Sequence, residues 1–201
     1  VIIMTKETKI FRIIICSLLT LTIIWSAFLG VALLSDRFRE SVIDEKYDLW
    51  ITNVRVTSAN AEDVLGDGTV HYDAYDNILS FENALIESEH TIIYSVNDLN
   101  VQLIGENKFI CKNESNNFGI YAGDSYIHKD LAIYGDGSLT IEMTTKSKAA
   151  TGIFADELMV NSDITIITPD CEYMTTGIVC DSSLLVVNTA TVTVNNGSAT
   201  H

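Results

Sequence analysis

The feature that most constrains this chain is a short block that comes back three times. Gly119-Ile120-Tyr121-Ala122 returns as Gly152-Ile153-Phe154-Ala155 and as Gly177-Ile178-Val179-Cys180. A weaker form, Ile92-Ile93-Tyr94-Ser95, precedes them. Each block is followed by a polar turn and an alternating strand. These strands begin Asp98-Leu99-Asn100-Val101, Asp130-Leu131-Ala132-Ile133, Glu157-Leu158-Met159-Val160 and Ser183-Leu184-Leu185-Val186. A further strand closes each unit, as in Leu139-Thr140-Ile141, Ile164-Thr165-Ile166 and Val192-Thr193-Val194. The glycines lie 33 and 25 residues apart (152 − 119, 177 − 152), and the leucines 32, 27 and 26 (131 − 99, 158 − 131, 184 − 158).

A period in this range, built of short strands without helical spacing, signals stacked repeats. One unit cannot bury its own apolar face, but units laid on one another can. The expected fold is therefore all-β, a right-handed parallel β-helix. Strand alternation assigns the side chains. Ile120/Ala122, Ile153/Ala155 and Ile178/Cys180 should point inward. So should Leu99/Val101, Leu131/Ile133, Leu158/Val160 and Leu184/Val186. The longer interval after Gly119 implies an insertion, with residues 125–129 as a protruding loop. An antiparallel sandwich would explain the strands but not the repeated blocks. The last closing strand is followed by no obvious cap, so the solenoid reads as open or truncated at that end.

The beginning of the chain has a different character. Lys6, Lys9 and Arg12 precede Ile13 to Leu34, 22 residues without a charge. A helix of roughly 20 apolar residues spans a bilayer, whereas a cleavable signal has a core of about 7–15. Gly30-Val31-Ala32 is a poor cleavage site. An uncleaved transmembrane helix and a signal peptide both remain open, and the basic flank favours an outside location for the rest of the chain. The expected organisation is a signal or membrane anchor over 1–35, a charged linker over 36–46, and one β domain over 47–201. The localisation implied is extracytoplasmic, membrane-anchored or secreted.

With 12 Lys+Arg against 27 Asp+Glu, the net charge is −15. That excludes nucleic acid as a partner, because phosphate binding needs a cationic surface. Cys16 falls in the apolar segment. Cys111, Cys171 and Cys180 show no zinc-ligand spacing. They read as small buried residues, with a Cys171–Cys180 disulfide as the alternative.

Tyr47-Asp48-Leu49-Trp50-Ile51, with Val54 to Thr57, Asp63-Val64-Leu65-Gly66-Asp67-Gly68-Thr69-Val70 and Tyr72-Asp73, resembles the opening segment of a clostridial carbohydrate-binding β-helix family. That family shares its fold with pectate lyases. The resemblance covers about Tyr47 to the end. It implies an exported parallel β-helix, binding of polysaccharide such as cellulose or polygalacturonate, and bound calcium. It transfers no binding residue position by position.

The candidate sites come from stacking. If Ile120 and Ala122 point in, Tyr121 points out, and Tyr94, Phe154 and Val179 continue its column. Tyr94, Tyr121 and Phe154 are the expected ligand-binding stripe, since exposed apolar stripes mark interaction sites. The same rings could instead pack laterally under the inserted loop. A second column, Asp124, Asp156 and Asp181, follows the blocks. Stacked carboxylates with turn carbonyls can hold calcium, which takes six to eight oxygens. Solvated turn aspartates are the alternative. Asp98, Asp130, Glu157, Asp163 and Asp136 read as turn residues. Asp63 to Gly68 lacks the closing glutamate of an EF-hand and reads as a glycine-rich turn.

Catalysis has little to stand on. Beyond residue 60 the only basic side chains are Lys108, Lys112, Lys129, Lys146 and Lys148, with His71, His90, His128 and His201 scattered. The expected function is non-catalytic binding of an extracellular polysaccharide, acidic if calcium bridges it. The alternatives are a structural or adhesive spacer that meets protein partners and, third, a polysaccharide lyase.

Overall fold

Alternating apolar and polar residues make strands, and the computed structural model describes strands almost throughout. It describes residues 44–112, 116–124, 126–144 and 148–199. The compact unit begins at Glu45. The expected helix over 1–35 and most of the expected linker lie outside the described residues. Among the described residues no helix is long and apolar enough to cross a membrane.

Among the described residues thirteen strands form one sheet. They are β1 (Lys46–Ile51), β2 (Val54–Thr57), β3 (Val70–Asp73), β4 (Ile78–Glu82), β5 (Leu85–Ser88), β6 (Ile93–Ser95) and β7 (Leu99–Ile104). Then come β8 (Glu106–Cys111), β9 (Asn116–Ala122), β10 (Leu131–Met143), β11 (Ala149–Ile167), β12 (Met174–Val186) and β13 (Val192–Asn195). The main path runs β2-β1-β6-β9-β11-β10-β7-β4-β3, and β12, β13, β8 and β5 pair alongside it.

The all-β expectation stands, but the right-handed parallel β-helix does not. The sheet is mixed and curls into a nearly closed, barrel-like wall around the core. β1 pairs antiparallel with both β2 and β6, and β3 pairs antiparallel with β4. For β1 and β2 the reason is local. Thr52-Asn53 turns the chain back within two residues, since Ile51 pairs with Val54. A two-residue connection can join only antiparallel strands. The expectation of short strands divided by turns also fails over β10, β11 and β12, of 13, 19 and 13 residues. Their ladders shift register between Tyr134 and Ser138 and between Ala155 and Glu157. Such bulges bend a strand without ending it.

Within this wall the repeats do meet as parallel neighbours. Leu131 pairs with Leu99 and with Leu158, and Leu158 with Leu184. Ile153 pairs with Ile120 and with Ile178. Ile120, Ile153, Leu99, Val101, Leu131, Ile133, Leu158 and Val160 are all buried. The final repeat departs from its expected inward role. Leu184 and Val186 are 47 % and 42 % exposed, and Ile178 and Cys180 only half-buried. Their counterparts are covered by the next strand, but no described strand pairs with the outer edge of β12.

Close approach explains why each block opens on glycine. A Cβ on Gly152 would stand 2.4 Å from Ile166 Cγ2 and 2.5 Å from the Gly177 carbonyl oxygen. On Gly119 it would meet the Gly152 carbonyl oxygen and Ile141 Cγ2, both at 2.6 Å. Gly152→Ala should therefore destabilise by about 1–3 kcal/mol, the usual cost of overpacking. Urea melts would read it, and an unchanged midpoint would mean the backbones separate freely here.

The corner aspartates solve their own repulsion. The Asp130 N–H donates to Asp98 Oδ1 (3.1 Å), and the Glu157 N–H donates to Asp130 Oδ1 (3.3 Å). Each carboxylate thus takes an amide of the next unit. Asp63 Oδ1 accepts the N–H groups of Gly66, Asp67 and Gly68, so this segment is a glycine turn. Cys111, Cys171 and Cys180 form no disulfide among the described residues. Burial pushes the Cys111 thiol up to about 12.

Candidate functional site: an aromatic cleft

Outward positions on four neighbouring strands build one column of rings. Trp50 on β1 pairs with Tyr94 on β6, Tyr94 with Tyr121 on β9, and Tyr121 with Phe154 on β11. The expected stripe Tyr94–Tyr121–Phe154 is thus brought together in register. Its members are half-buried, because the rings cover one another. Trp50 and Tyr94 stack at 5.3 Å between centroids, Tyr94 and Tyr121 tilt at 5.8 Å, and Tyr121 and Phe154 stack at 5.2 Å. Phe118 sets its edge against Tyr121 and Phe154, and His128 does the same to Phe154 at 4.5 Å.

The column flanks a cleft of about 600 Å³. Trp50, Tyr94, Phe118 and Tyr121 contribute its aromatic surface. Thr52, Asn53, His90, Thr91 and Asp124 add polar groups. Phe154 is not among the lining residues; Phe118 and His128 pack on it instead. Trp50, Phe118, Asn53 and His90 were not expected here. Trp50 joins the column through the antiparallel pairing of β1 with β6, which no repeat spacing encodes.

Thr52 carries the cleft's backbone strain. Its φ is +59°, a left-handed value that a β-branched residue rarely adopts. Conformations of this kind cost of order 1–3 kcal/mol and cluster at functional sites. The Thr52 N–H donates to the Ile92 carbonyl at 2.7 Å, holding the hairpin beside β6.

The acidic column does not converge. Asp124 Oδ1 accepts the N–H groups of Tyr126 (2.7 Å) and Ile127 (2.8 Å) and so closes its own loop. Those two hydrogen bonds, foremost, hold its carboxyl below the usual carboxylate range. Asp156 accepts the Ser182 hydroxyl. Asp181 pairs with His128 Nδ1. No three His, Cys, Asp or Glu side chains among the described residues are grouped to hold a metal ion. The inserted loop places Tyr126 and Ile127 in solvent, 93 % and 59 % exposed, and the Tyr121 hydroxyl donates to the Asp124 carbonyl at its base (2.9 Å). Burial, ahead of the neighbouring Tyr94 and Asp124, raises the Tyr121 hydroxyl above its ordinary value.

The Arg55 cation beside the rings is already engaged. The Arg55 guanidinium lies 4.9 Å from the Trp50 ring centre and pairs with Asp48 at 2.6 Å. Elsewhere, a polar groove of about 520 Å³ runs past Tyr134, Asn161 and Asn188. Its amides bond each other, Asn188 Nδ2 donating to Asn161 Oδ1 at 2.7 Å, and Asp163 accepts the Thr191 N–H.

No protein-family model, curated protein or solved structure matches this chain. None of them identifies the family that the opening segment resembles.

Proposed function

We propose that the aromatic cleft is a non-catalytic carbohydrate-binding site on an extracytoplasmic domain. The observation that supports it is the grouping of four rings from β1, β6 and β9 with Asn53, His90 and Asp124 in one open cleft. Small-molecule sites combine apolar and aromatic walls with a few placed polar groups. Sugars have apolar C–H faces and a rim of hydroxyls, so they match both. Sugar contacts would fall on the uncovered edges and margins of the rings, since neighbours in the column overlap. The fit does not require calcium: the cleft's own groups supply donors and acceptors.

The test is retention of the full chain, in detergent, on cellulose, polygalacturonate and host-type glycans, with calcium and with chelator. Retention on at least one glycan is expected. Tyr94→Ala should weaken it roughly tenfold, about 1.4 kcal/mol, as removal of an aromatic anchor does elsewhere. Unchanged binding by this variant would remove the cleft from the reading. Failure on every glycan would favour an adhesive spacer, for which the exposed apolar residues Leu184, Leu185 and Val186 on β12 are the supporting observation.

A further inference from the structure

We infer that the cleft selects a sugar bearing a free ammonium group, of the glucosamine type, over neutral sugars and uronic acids. The inference rests on the carbohydrate reading and names its ligand class.

Aromatic faces carry negative charge density, and a cation within about 6 Å of a ring is attracted to it. Trp50, Tyr94, Phe118 and Tyr121 line one cavity, and Phe118 alone of the four meets its ring neighbours only in T-shaped contacts, with no ring stacked on it among the described residues. The molecule already uses this chemistry on one of them, where Arg55 lies over Trp50 with Asp48 as its counter-charge. A second carboxylate is available to a ligand. Asp124 lines the cleft, and its Oδ1 is committed to the backbone of Tyr126 and Ile127, which fixes its orientation. Its Oδ2 accepts no hydrogen bond among the described residues. A carboxylate so held stays ionised at neutral pH.

Among the described residues no lysine or arginine lines the cavity. The nearby charged groups are Arg55, tied to Asp48, His128, tied to Asp181, and Lys129 beside Asp124 in the loop. The chain as a whole carries −15. A uronic acid would bring a like charge to Asp124 with no arginine or lysine in the cleft to receive it. An amino sugar would bring its ammonium to the carboxylate and the Phe118 ring together. An acidic polysaccharide would need a bridging cation, and the three aspartates expected to hold one point to different partners.

The experiment compares short glucosamine oligomers with their N-acetylated counterparts and with oligogalacturonate. Binding to the full chain is measured at neutral pH and low salt. The glucosamine oligomer should bind about tenfold tighter than the acetylated one, and the advantage should shrink as salt screens the charges. Asp124→Asn should lower glucosamine-oligomer binding about tenfold, and acetylated binding by much less, so that the advantage is erased. Asparagine can still accept the two loop N–H groups, so the loop should hold. Asp136→Asn, in the separate polar groove, is the control for general attraction to an acidic protein, and it should change nothing. Equal affinity for the two oligomers would overturn the ammonium inference and leave the carbohydrate reading intact. So would equal losses in Asp124→Asn and Asp136→Asn. Absence of binding by every oligomer would overturn both.

Discussion

Ile153→Asp is expected to abolish the folded state. Ile153 is fully buried and pairs with Ile120 on one side and Ile178 on the other. Removing the side chain from the interior forfeits roughly 1.5–3 kcal/mol of burial. The carboxylate then enters a site lined by apolar neighbours, and an unpaired buried charge costs several kcal/mol more even after relaxation. Domains are stable by only about 5–15 kcal/mol in all. Loss of a cooperative denaturation transition would show the effect. Ile153→Val keeps the shape and should cost about 0.5–1.5 kcal/mol, which separates charge from volume. A soluble Ile153→Asp variant with native cooperativity would refute the inward register of this column.

Two leucines at the same place in the repeat should respond very differently. Leu158 is 1 % exposed between Leu131 and Leu184, whereas Leu184 is 47 % exposed on the outermost repeat. Leu158→Ala leaves a cavity between covered strands and should cost about 2–5 kcal/mol. Leu184→Ala removes a side chain already half in water, and changes at such positions are usually small, within about 1 kcal/mol. Urea denaturation of the pair gives the contrast directly. Equal losses would mean that a surface beyond the described strands covers β12.

These stability tests and the binding tests address different parts of the same wall. The inward residues set whether the sheet closes, and the outward column sets what the cleft meets. Tyr94→Ala and Asp124→Asn act on outward groups, so they should lower affinity without moving the denaturation midpoint far. Ile153→Asp should remove both.

Local chemistry was readable without coordinates where the pattern repeats. The period-2 alternation around Leu131 and Leu158 identified strands and their buried faces, because alternation is a property of a single strand. Matching blocks identified which strands lie side by side, so Tyr94, Tyr121 and Phe154 could be aligned as one column. The turn roles of Asp63 and Asp130 followed from short spacings to glycines and amides nearby. Other features depended on contacts between segments with no shared pattern. The Thr52-Asn53 turn makes β1 antiparallel to β2, and the separate antiparallel pairing of β1 with β6 sets Trp50 beside Tyr94 at the end of the ring column. Phe118, Asn53 and His90 meet at the cleft from separate segments of the chain. The acidic column was visible as a spacing, but the partners of its members were not. Asp124 is claimed by its own loop, Asp156 by Ser182 and Asp181 by His128. Repeat period determines which backbones are neighbours; the tertiary path of an inserted loop or a tight hairpin decides which side chains those neighbours then find, because hydrogen bonds and ring contacts depend on distances that spacing alone does not set.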